Sequence, residues 1–507
     1  MKLSTSFIAV ALAFSSAASA SASEVQERGI LDNLKPLVSS TGLQLLTTKL
    51  TLLAHARQFL KFSQLSDGTR AFGSKGHNAT VNYIKTLLDA TRYYDTELQT
   101  FPYLFSSGEA TFAVDNSAVE SQWFTYGPAG DITAQIVPVA NLGCDAADYP
   151  AEVEGKIAFI SRGTCEFGLK VALAGAAKAA GAIIYNNQPA AVNGGTLGAP
   201  ERPEVGPYVP VASISGDSAK TILDQIAAGA TLTGALHVDA TTETRYTSNV
   251  IATTKGGDKN NIVFAGGHTD SVPAGPGIND DGSGTITILD IALRLPLFKV
   301  NNAVRFGFWT AEEFGLVGSE HYVTSLPAEE AQKIALYLNF DMVASPNYGY
   351  FIYDGDGSAF NLTGPAGSDH IEKTFEDFFK SKKVISAPTE FSGRSDYGPF
   401  LDVGIPAGGL FTGAEGKKTA EEAKWWGGEA GVDYDICYHK KCDDLSNLNT
   451  EAWVLNSKAA AHSIATYARS LNGIPRTKKA SVANNRVAAL SYDDRRHYSC
   501  GHKIESS

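Results

Sequence analysis

The chain has 507 residues, a formal net charge of −12 and a charged fraction of 19%. This length exceeds the roughly 250 to 300 residues at which a single hydrophobic core stops growing, so two or more domains are expected. The hydrophobic fraction of 43% argues against disorder. The negative net charge, without a basic stripe in the body of the chain, argues against a nucleic-acid partner.

The amino-terminal residues have the pattern of a secretory signal peptide. Lys2 precedes the apolar run FIAVALAF and then the small residues ASA. We assign 1–20 to this signal and 21–35 to a propeptide. No other segment reaches the roughly 20 apolar residues of a membrane-spanning helix. We therefore expect secretion, or delivery to a vacuolar lumen, with no membrane partner, and glycosylation sequons at Asn78 and Asn361 agree with export.

The cysteine pattern agrees with an oxidising compartment. The chain contains five cysteines, Cys144, Cys165, Cys437, Cys442 and Cys500. We predict one disulfide between Cys437 and Cys442 and another between Cys144 and Cys165, which leaves the fifth cysteine unpaired. The alternative is a zinc site that joins Cys437 and Cys442 to His439, but the sequence nearby offers no fourth ligand of the same soft type.

Composition divides the chain into regions. Residues 40–100 carry helical patterns, and 125–240 alternate short apolar strands with Gly and Pro turns around one alanine-rich helix, KVALAGAAKAAGA. From 248 onward strands alternate with helices, which indicates an α/β fold with a mixed, mostly parallel central sheet flanked by helices. The predicted boundaries are 36–124 and 241–472 for the α/β domain, 125–240 for a β-rich insertion and 473–507 for a loose polar tail.

Acidic and imidazole side chains follow successive predicted strands. His268 ends the run NIVFAGGH, and Glu313 and Asp341 follow the runs VRFGFW and ALYLNF. Open α/β sheets form their sites at this edge. With Asp280 in the loop after His268 and His439 between two cysteines, the set has five ligands that suit zinc. One histidine and one carboxylate per ion, with a shared bridging carboxylate, predict two Zn²⁺ ions.

Two more acidic residues have expected roles beside these ligands. Asp270 would accept the second imidazole N–H of His268, and Glu312 would be the general base. Each residue alone could instead be a turn or cap residue, with Asp281 or Ser283 capping the next helix. A glycine-rich nucleotide loop is disfavoured because its aspartates would repel a pyrophosphate.

Five sequence strings resemble the co-catalytic zinc aminopeptidases of the M28 family, which include secreted leucyl aminopeptidases and aminopeptidase Y. The strings are GGHTDSVPAGPGINDDGSG, FWTAEEFGLVGSEHYV, LNFDMVASPNYGYFIYDGD, FSGRSDYGPF and CYHKKCDDLSN. The resemblance covers the chain from about 40 to 472 and implies a zinc exopeptidase fold. The inserted string YPAEVEGKIAFISRGTCEFGLKVALAGAAKAAGA resembles a protease-associated (PA) domain.

The resemblance also implies which residues serve each metal. It assigns His268 and Asp341 to one zinc, Glu313 and His439 to the other, and Asp280 to the bridge between them. Glu312 would again be the base. The peptide bond between Asp280 and Asp281 is expected to be cis.

The resemblance further implies a substrate pocket. Tyr438 would donate a hydrogen bond to the substrate carbonyl oxygen as it becomes an oxyanion. The residues expected to line the pocket are Met342, Gly393, Arg394 and Phe411. The apolar members of this set would suit a first residue such as leucine or phenylalanine, although ordinary core packing is the alternative explanation for them.

Together these features predict a secreted, monomeric, dinuclear zinc aminopeptidase that acts on peptides with a free amino terminus. A metallocarboxypeptidase is the nearest alternative, and it would need Arg394 to face the substrate carboxylate. A non-catalytic binding protein would not need an intact ligand set with Glu312. A single-zinc cyclase would not need both histidines, and a serine hydrolase would need a G-x-S-x-G motif that the sequence lacks.

Overall fold

A computed structural model describes residues 35–190, 192 and 195–476, together with the backbone of two short strands at Tyr498–Ser499 and His502–Lys503. The signal peptide, nearly all of the propeptide, most of the tail and Cys500 lie outside the described residues. In the part of the chain that the structure describes, no helix is long and apolar enough to cross a membrane.

The chain alternates between helices and strands over most of its length. The helices are α1 (Ser40–Leu46), α2 (Lys49–Ser63), α3 (Lys75–Thr91), α4 (Phe167–Ala176), α5 (Gly216–Ala227), α6 (Gly282–Arg294), α7 (Val317–Ser325), α8 (Ala328–Lys333), α9 (Ser368–Ser381), α10 (Gly398–Asp402), α11 (Ala420–Trp426) and α12 (Thr450–Arg469). The strands are β1 (Tyr94–Val114), β2 (Ser117–Val119), β3 (Ser121–Trp123), β4 (Gly130–Pro138), β5 (Ile157–Ser161), β6 (Gly181–Tyr185), β7 (Val211–Ile214), β8 (Thr233–Thr254), β9 (Asp258–His268), β10 (Asn302–Trp309), β11 (Ile334–Phe340), β12 (Phe351–Tyr353), β13 (Ala387–Thr389) and β14 (Ala407–Phe411).

The central sheet is mixed and mostly parallel in its middle, as the sequence predicts. Its order is β13-β12-β14-β11-β9-β10-β8, continuing through β4-β5-β6-β7-β3. Strands β14, β11, β9 and β10 are parallel neighbours, whereas β8 is antiparallel to β10 and β12 is antiparallel to β14. The parallel middle strands bring their carboxyl ends to one edge of the sheet.

Both faces of the middle strands are buried, which explains their continuous apolar runs. Val263 and Ala265 of β9 pack into the core beneath α2, α3, α6 and α12. Phe264 points to the opposite face and packs with Trp309 of β10 and Phe400 of α10. Because successive strand residues alternate between faces, two cores form on the two sides of one sheet.

A long antiparallel ribbon links the α/β domain to the inserted region. Strands β1 and β8 pair from Tyr94 opposite Thr254 to Val114 opposite Gly234. The far end of β8 also pairs with β4, from which β5, β6 and β7 continue in parallel. The insertion has its own apolar clusters, and Cys144 and Cys165 form a disulfide there.

Two details differ from the sequence analysis. Strand β1 was not expected, because its side chains mix exposed and buried positions without a simple alternation; pairing along the whole of β8 fixes it. The alanine-rich helix, expected over 170–182, ends at Ala176. Lys178 adopts a left-handed backbone with φ of 61°, so the chain turns there and begins strand β6 at Gly181.

Candidate metal centre

The predicted ligands meet where the parallel strands end. His268 is the last residue of β9, Asp341 directly follows β11, and Glu313 lies in a short 3-10 turn just after β10. Strands β10 and β11 flank β9 on its two sides. The three side chains therefore come from adjacent strand ends, although up to 73 residues separate His268 from Asp341 in the sequence.

The donor atoms form two groups that share Asp280. Nε2 of His268 lies 3.2 Å from Oδ1 of Asp280 and 3.5 Å from Oδ1 of Asp341. Nε2 of His439 lies 3.2 Å from Oδ2 of Asp280 and 3.3 Å from an oxygen of Glu313. Asp280 thus presents one carboxylate oxygen to each histidine, as a bridging ligand between two ions would.

The chemistry of this donor set fits metal ions. The side-chain nitrogens of His268 and Oδ1 of Asp341 are buried without a hydrogen-bond partner among the residues that the structure describes, and buried polar atoms are otherwise almost always satisfied. Imidazole and carboxylate donors are the ligands that zinc accepts beside thiolates. An ion at this position would supply the partners that these atoms lack.

Asp281 is close to these ligands but has a structural role. One of its oxygens accepts the backbone N–H of His268 at 3.1 Å, and the other accepts those of Gly284 at 2.8 Å and Met342 at 3.2 Å. Asp281 is also the N-cap of α6. The capping role considered from the sequence is therefore correct for Asp281, while the preceding Asp280 keeps its carboxylate for the site.

The backbone around the ligands is irregular. The peptide bond between Asp280 and Asp281 is cis. Ala311, Met342 and His439 have positive φ angles of 53°, 51° and 56°, in a region that residues other than glycine seldom adopt. Such conformations are commonly retained at functional sites. Here each of the three lies at a ligand or next to a predicted site residue.

Electrostatics favour a cation in the cluster. Burial raises the pKa of Glu312 well above its usual range, and nearby carboxylates, Asp341 first among them, raise it further. Burial acts to lower the pKa of His439, but the charges of Glu313 and Asp280 outweigh it and raise that pKa to about 10. Carboxylates crowded in a buried space therefore stabilise positive charge beside them.

Asp270 lies beside His268 but mainly contacts another group. Its Oδ1 is 3.7 Å from Nδ1 of His268, longer than a hydrogen bond. The same oxygen accepts the backbone N–H of Glu312 at 3.1 Å. Asp270 therefore fixes the start of the turn that carries the predicted base. Its expected contact with the imidazole stays a prediction.

Most of the predicted pocket residues line a cavity that is also lined by four of the five predicted metal ligands, Asp280, Glu313, Asp341 and His439. Met342, Arg394, Phe411 and Tyr438 line it, together with Glu312. Gly393 is not among the lining residues, and its N–H donates to the hydroxyl of Tyr397 at 3.0 Å. Gly393 lies in the chain between two residues that do line the cavity, Ser392 and Arg394.

Arg394 forms an ion pair at the cavity. Its two terminal nitrogens lie 2.8 Å and 3.2 Å from the two carboxylate oxygens of Glu415, and its Nη2 is 3.4 Å from the hydroxyl of Tyr438. The ring of Tyr438 stacks on His439 with 3.6 Å between centroids. The arginine that a carboxypeptidase would use for its substrate is therefore already paired with a carboxylate.

Three supporting residues were not identified from the sequence. Ser395 donates to Asp341 at 2.6 Å. Asp443 accepts the backbone N–H groups of Asn279 at 2.9 Å and Asp280 at 3.0 Å. The string FSGRSDYGPF contains Ser395 and CYHKKCDDLSN contains Asp443, so these motifs were a signal that could have pointed to both.

The third is Arg70, which is fully buried beneath the loop between His268 and Asp280. Its guanidinium donates to the backbone carbonyls of Thr269, Pro276 and Gly277. These three bonds tie the loop to the segment between α2 and α3. Nothing in the local sequence around Arg70 indicates this long-range contact.

The remaining predicted positions lie at the surface or in the loop of the second histidine. Cys437 and Cys442 form a disulfide around His439, which leaves no thiolates for the alternative zinc site. Asn78 is exposed in the first turn of α3, and Asn361 is exposed with a φ of 59°. Both sequon asparagines are therefore accessible.

The mixed α/β fold and the donor set together define a candidate metal centre. The model of peptidase family M28 matches residues 249–464, and that of the PA domain matches 132–222. A probable leucine aminopeptidase 2 of Aspergillus oryzae (strain ATCC 42149 / RIB 40) is 52% identical over 421 residues, which cover 83% of this chain and 84% of that relative.

Solved structures of aminopeptidases are also similar to this chain. An aminopeptidase from Aneurinibacillus sp. strain AM-1 has a TM-score of 0.63 and 28% identity, covering 85% of this chain and 97% of its own. BSAP, a zinc aminopeptidase from Bacillus subtilis, has a TM-score of 0.58 and 25% identity, covering 86% and 98%. The chain belongs to peptidase family M28 and carries a PA domain. It is a metalloaminopeptidase, a hydrolase that releases amino-terminal residues from peptides.

Proposed function

We propose that the protein is a dinuclear zinc aminopeptidase that prefers hydrophobic amino-terminal residues such as leucine. The observation that carries this proposal is the position of Asp280, whose two carboxylate oxygens each lie 3.2 Å from a different histidine. His268 and Asp341 would hold one ion, and Glu313 and His439 the other. Bound zinc would polarise the substrate carbonyl and favour ionisation of water at neutral pH.

Glu312 is the residue placed to move protons. Its carboxylate is 95% buried, lines the cavity and lies 3.8 Å from Nε2 of His268. Asp270 holds its backbone N–H, so the side chain projects from a fixed turn. Glu312 would accept a proton from the attacking water and return it to the leaving amine, as a general base and then a general acid do.

Tyr438 would stabilise the substrate carbonyl oxygen. Its phenol lines the same cavity as Glu312, and the guanidinium of Arg394 lies 3.4 Å from its hydroxyl. A phenolic O–H that donates to a developing oxyanion lowers the barrier most when it is held in place before the reaction. Stacking against His439 holds the ring of Tyr438 in this orientation.

Carboxylate acceptors in the cavity favour an amino terminus over a carboxyl terminus. Glu312 and Asp341 line the cavity, and their oxygens would accept hydrogen bonds from the ammonium of a free terminus, which a terminal carboxylate cannot donate. Arg394 does not offset this, because Glu415 pairs with it. The metallocarboxypeptidase alternative therefore lacks the exposed cation that it needs.

Apolar lining supports the preference for the first residue. Met342 and Phe411 line the cavity together with the proposed metal ligands. Contact with these apolar side chains would favour burial of a leucine or phenylalanine side chain of the substrate. The Aspergillus oryzae relative bears the name of a leucine aminopeptidase. Both observations support leucine as the first substrate to test.

The assignments outside the site complete the proposal. We propose export through the signal at 1–20, with a propeptide at 21–35, glycosylation at Asn78 and Asn361, and a monomeric mature enzyme that is secreted or delivered to a vacuolar lumen. The peptidase domain would comprise 36–124 and 241–472, with the PA insertion at 125–240 and the tail at 473–507. Amino-terminal sequencing of the protein recovered from culture medium tests the export and both cleavage points.

The proposal is tested with leucyl peptides whose amino termini are open or acetylated. We expect leucine release only from open peptides, loss of release on chelation, recovery with zinc, and about two zinc ions per chain by elemental analysis. Glu312→Ala should lose about 10²- to 10⁴-fold in kcat while keeping its zinc. Glu329→Ala, an exposed glutamate on α8, is the matched control and should keep full activity.

Three results would contradict the proposal. Cleavage of acetylated peptides from their carboxyl ends would indicate a carboxypeptidase. Zinc binding without turnover of any peptide would indicate a binding protein. Full activity of Glu312→Ala would remove that residue from the chemistry.

A further inference from the structure

Glu415 forms an ion pair with Arg394 and is not among the described residues that line the cavity. It binds Arg394 in a bidentate arrangement, with Nη1 to Oε1 at 2.8 Å and Nη2 to Oε2 at 3.2 Å. This parallel geometry is the strongest form of an arginine–carboxylate pair and fixes the plane of the guanidinium. Glu415 therefore decides where the charge of Arg394 points.

The backbone holds Glu415 in register with the loop that carries Tyr438. The carbonyl of Ala414 accepts the N–H of Asp435 at 2.9 Å, and the carbonyl of Gly416 accepts the N–H of Tyr434 at 2.8 Å. Both neighbours of Glu415 are thus bonded to the segment that leads into Tyr438. The carboxylate, the guanidinium and the phenol form one connected unit.

Arg394 is the one lysine or arginine side chain among the described residues that line the cavity. The other charged groups there are carboxylates and one histidine. An unpaired guanidinium at this position would attract any substrate carboxylate within reach, and a dipeptide carries its carboxylate on the residue next to the cleaved bond. Pairing with Glu415 removes most of that attraction.

We propose that Glu415 is a specificity-determining residue that neutralises Arg394 and so keeps the enzyme from favouring dipeptides over longer peptides. This inference rests on the proposed aminopeptidase function. Glu415 acts through Arg394 and does not touch the substrate, so it is a positioning residue. With the pair intact, the cavity selects for the free amino terminus and is indifferent to whether the second residue ends in a carboxylate.

The ion pair between Arg394 and Glu415 is partly exposed, so Glu415 can be replaced without unfolding the protein. The side chains of Arg394 and Glu415 are 32% and 40% exposed, and ion pairs with such access to solvent contribute little to stability. Replacing Glu415 leaves a guanidinium that water can still solvate. We therefore expect folded variants whose binding preference has changed.

The experiment compares kcat/KM for Leu-Leu and for Leu-Leu-amide, which differ only in the terminal charge. In Glu415→Gln and Glu415→Ala, the ratio of the first value to the second should rise about fivefold over wild type, the effect of one partly exposed ion pair. The increase in this ratio of kcat/KM values should be smaller at high salt, because salt screens the charge of Arg394. Adding Arg394→Gln to Glu415→Gln should return the ratio to its wild-type value.

The matched control is Glu421→Gln, an exposed glutamate on α11, which should leave the ratio unchanged. A ratio that stays within about twofold of wild type in both Glu415 variants would overturn the inference, and so would an equal loss on both substrates, which would show a purely structural role. Wild-type enzyme that cleaves neither substrate would instead overturn the proposed function. Thermal unfolding of each variant verifies that it is folded.

Discussion

The hydroxyl of Ser395 donates a hydrogen bond to Oδ2 of Asp341 at 2.6 Å, and it accepts one from the side-chain amide of Asn339 at 2.8 Å. Oδ2 is thereby engaged, while Oδ1, 3.5 Å from Nε2 of His268, has no hydrogen-bond partner in the described part of the chain. The serine thus determines which oxygen of Asp341 faces the proposed metal. Hydrogen bonds of this kind orient ligands and strengthen metal binding.

Ser395→Ala should weaken zinc binding at this ligand without unfolding the protein. We expect a loss of about 10- to 100-fold in affinity for one zinc ion, measured by competition with a chromogenic chelator. Ser381→Ala, at an exposed position in α9, is the control. Unchanged affinity in Ser395→Ala would show that Asp341 needs no such support.

Substitution of the bridging residue should differ from substitution of a terminal ligand. His439→Ala removes donors from one group only and should leave about one zinc per chain, whereas Asp280→Ala removes an oxygen from both groups and should leave nearly none. Elemental analysis after dialysis gives the counts, with the exposed Asp377→Ala as a control. Equal zinc contents in the two site variants would argue against a bridge.

Arg70→Met should destabilise the protein strongly. The substitution leaves the carbonyls of Thr269, Pro276 and Gly277 without their buried donor. We expect the free energy of unfolding to fall by about 3–5 kcal/mol, since several buried acceptors lose a charged partner. Urea denaturation measures it, and Arg57→Met on the exposed side of α2 should change it by less than about 0.5 kcal/mol. Similar unfolding free energies for Arg70→Met and Arg57→Met would contradict the stabilising role of Arg70.

Glu372 should make stability depend on pH. Burial raises the pKa of Glu372 to about 7 from an ordinary value of 4.5, so the native state binds its proton more tightly than the unfolded chain does. Its contribution to stability is complete below about pH 4.5 and is lost as the pH rises through about 7. Wild type should therefore lose stability relative to Glu372→Gln across this window.

Unfolding free energies at several pH values between 4 and 8 test the Glu372 prediction. The control is Glu376→Gln on the exposed side of the same helix, whose difference from wild type should not vary in this way. Parallel curves for wild type and Glu372→Gln, or a wild type that gains stability relative to the variant, would contradict it.

The sequence could predict the sheet and the place of three proposed ligands at its edge, because His268, Glu313 and Asp341 each follow an apolar run that forms a strand. It could not locate the contacts between distant segments. Arg70 lies 199 residues from Thr269, and Ser395 lies 54 residues from Asp341. Such pairs depend on how the completed strands and helices pack, which no local pattern encodes.

The role of Arg394 in the pocket also could not be predicted from the sequence alone. Arg394 was named from its motif, but its partner Glu415 lies 21 residues away in a different loop. Without that partner, the charge of Arg394 left a carboxypeptidase open as an alternative. The role of a charged residue depends on its neighbours in space, and only the fold supplies them.

Strands β1 and β8 form one long antiparallel hairpin, and the insertion that contains the PA domain lies at the closed end of this hairpin. The chain leaves through Ser107 and returns through Thr241, which are directly paired, so the two crossing points lie side by side. The β8 residues 241–244 are exposed, and the apolar clusters at the two ends of the ribbon are separate. Joining the chain directly from Ser107 to Thr241 would shorten the β1–β8 hairpin and leave the strand order β14-β11-β9-β10-β8 unbroken.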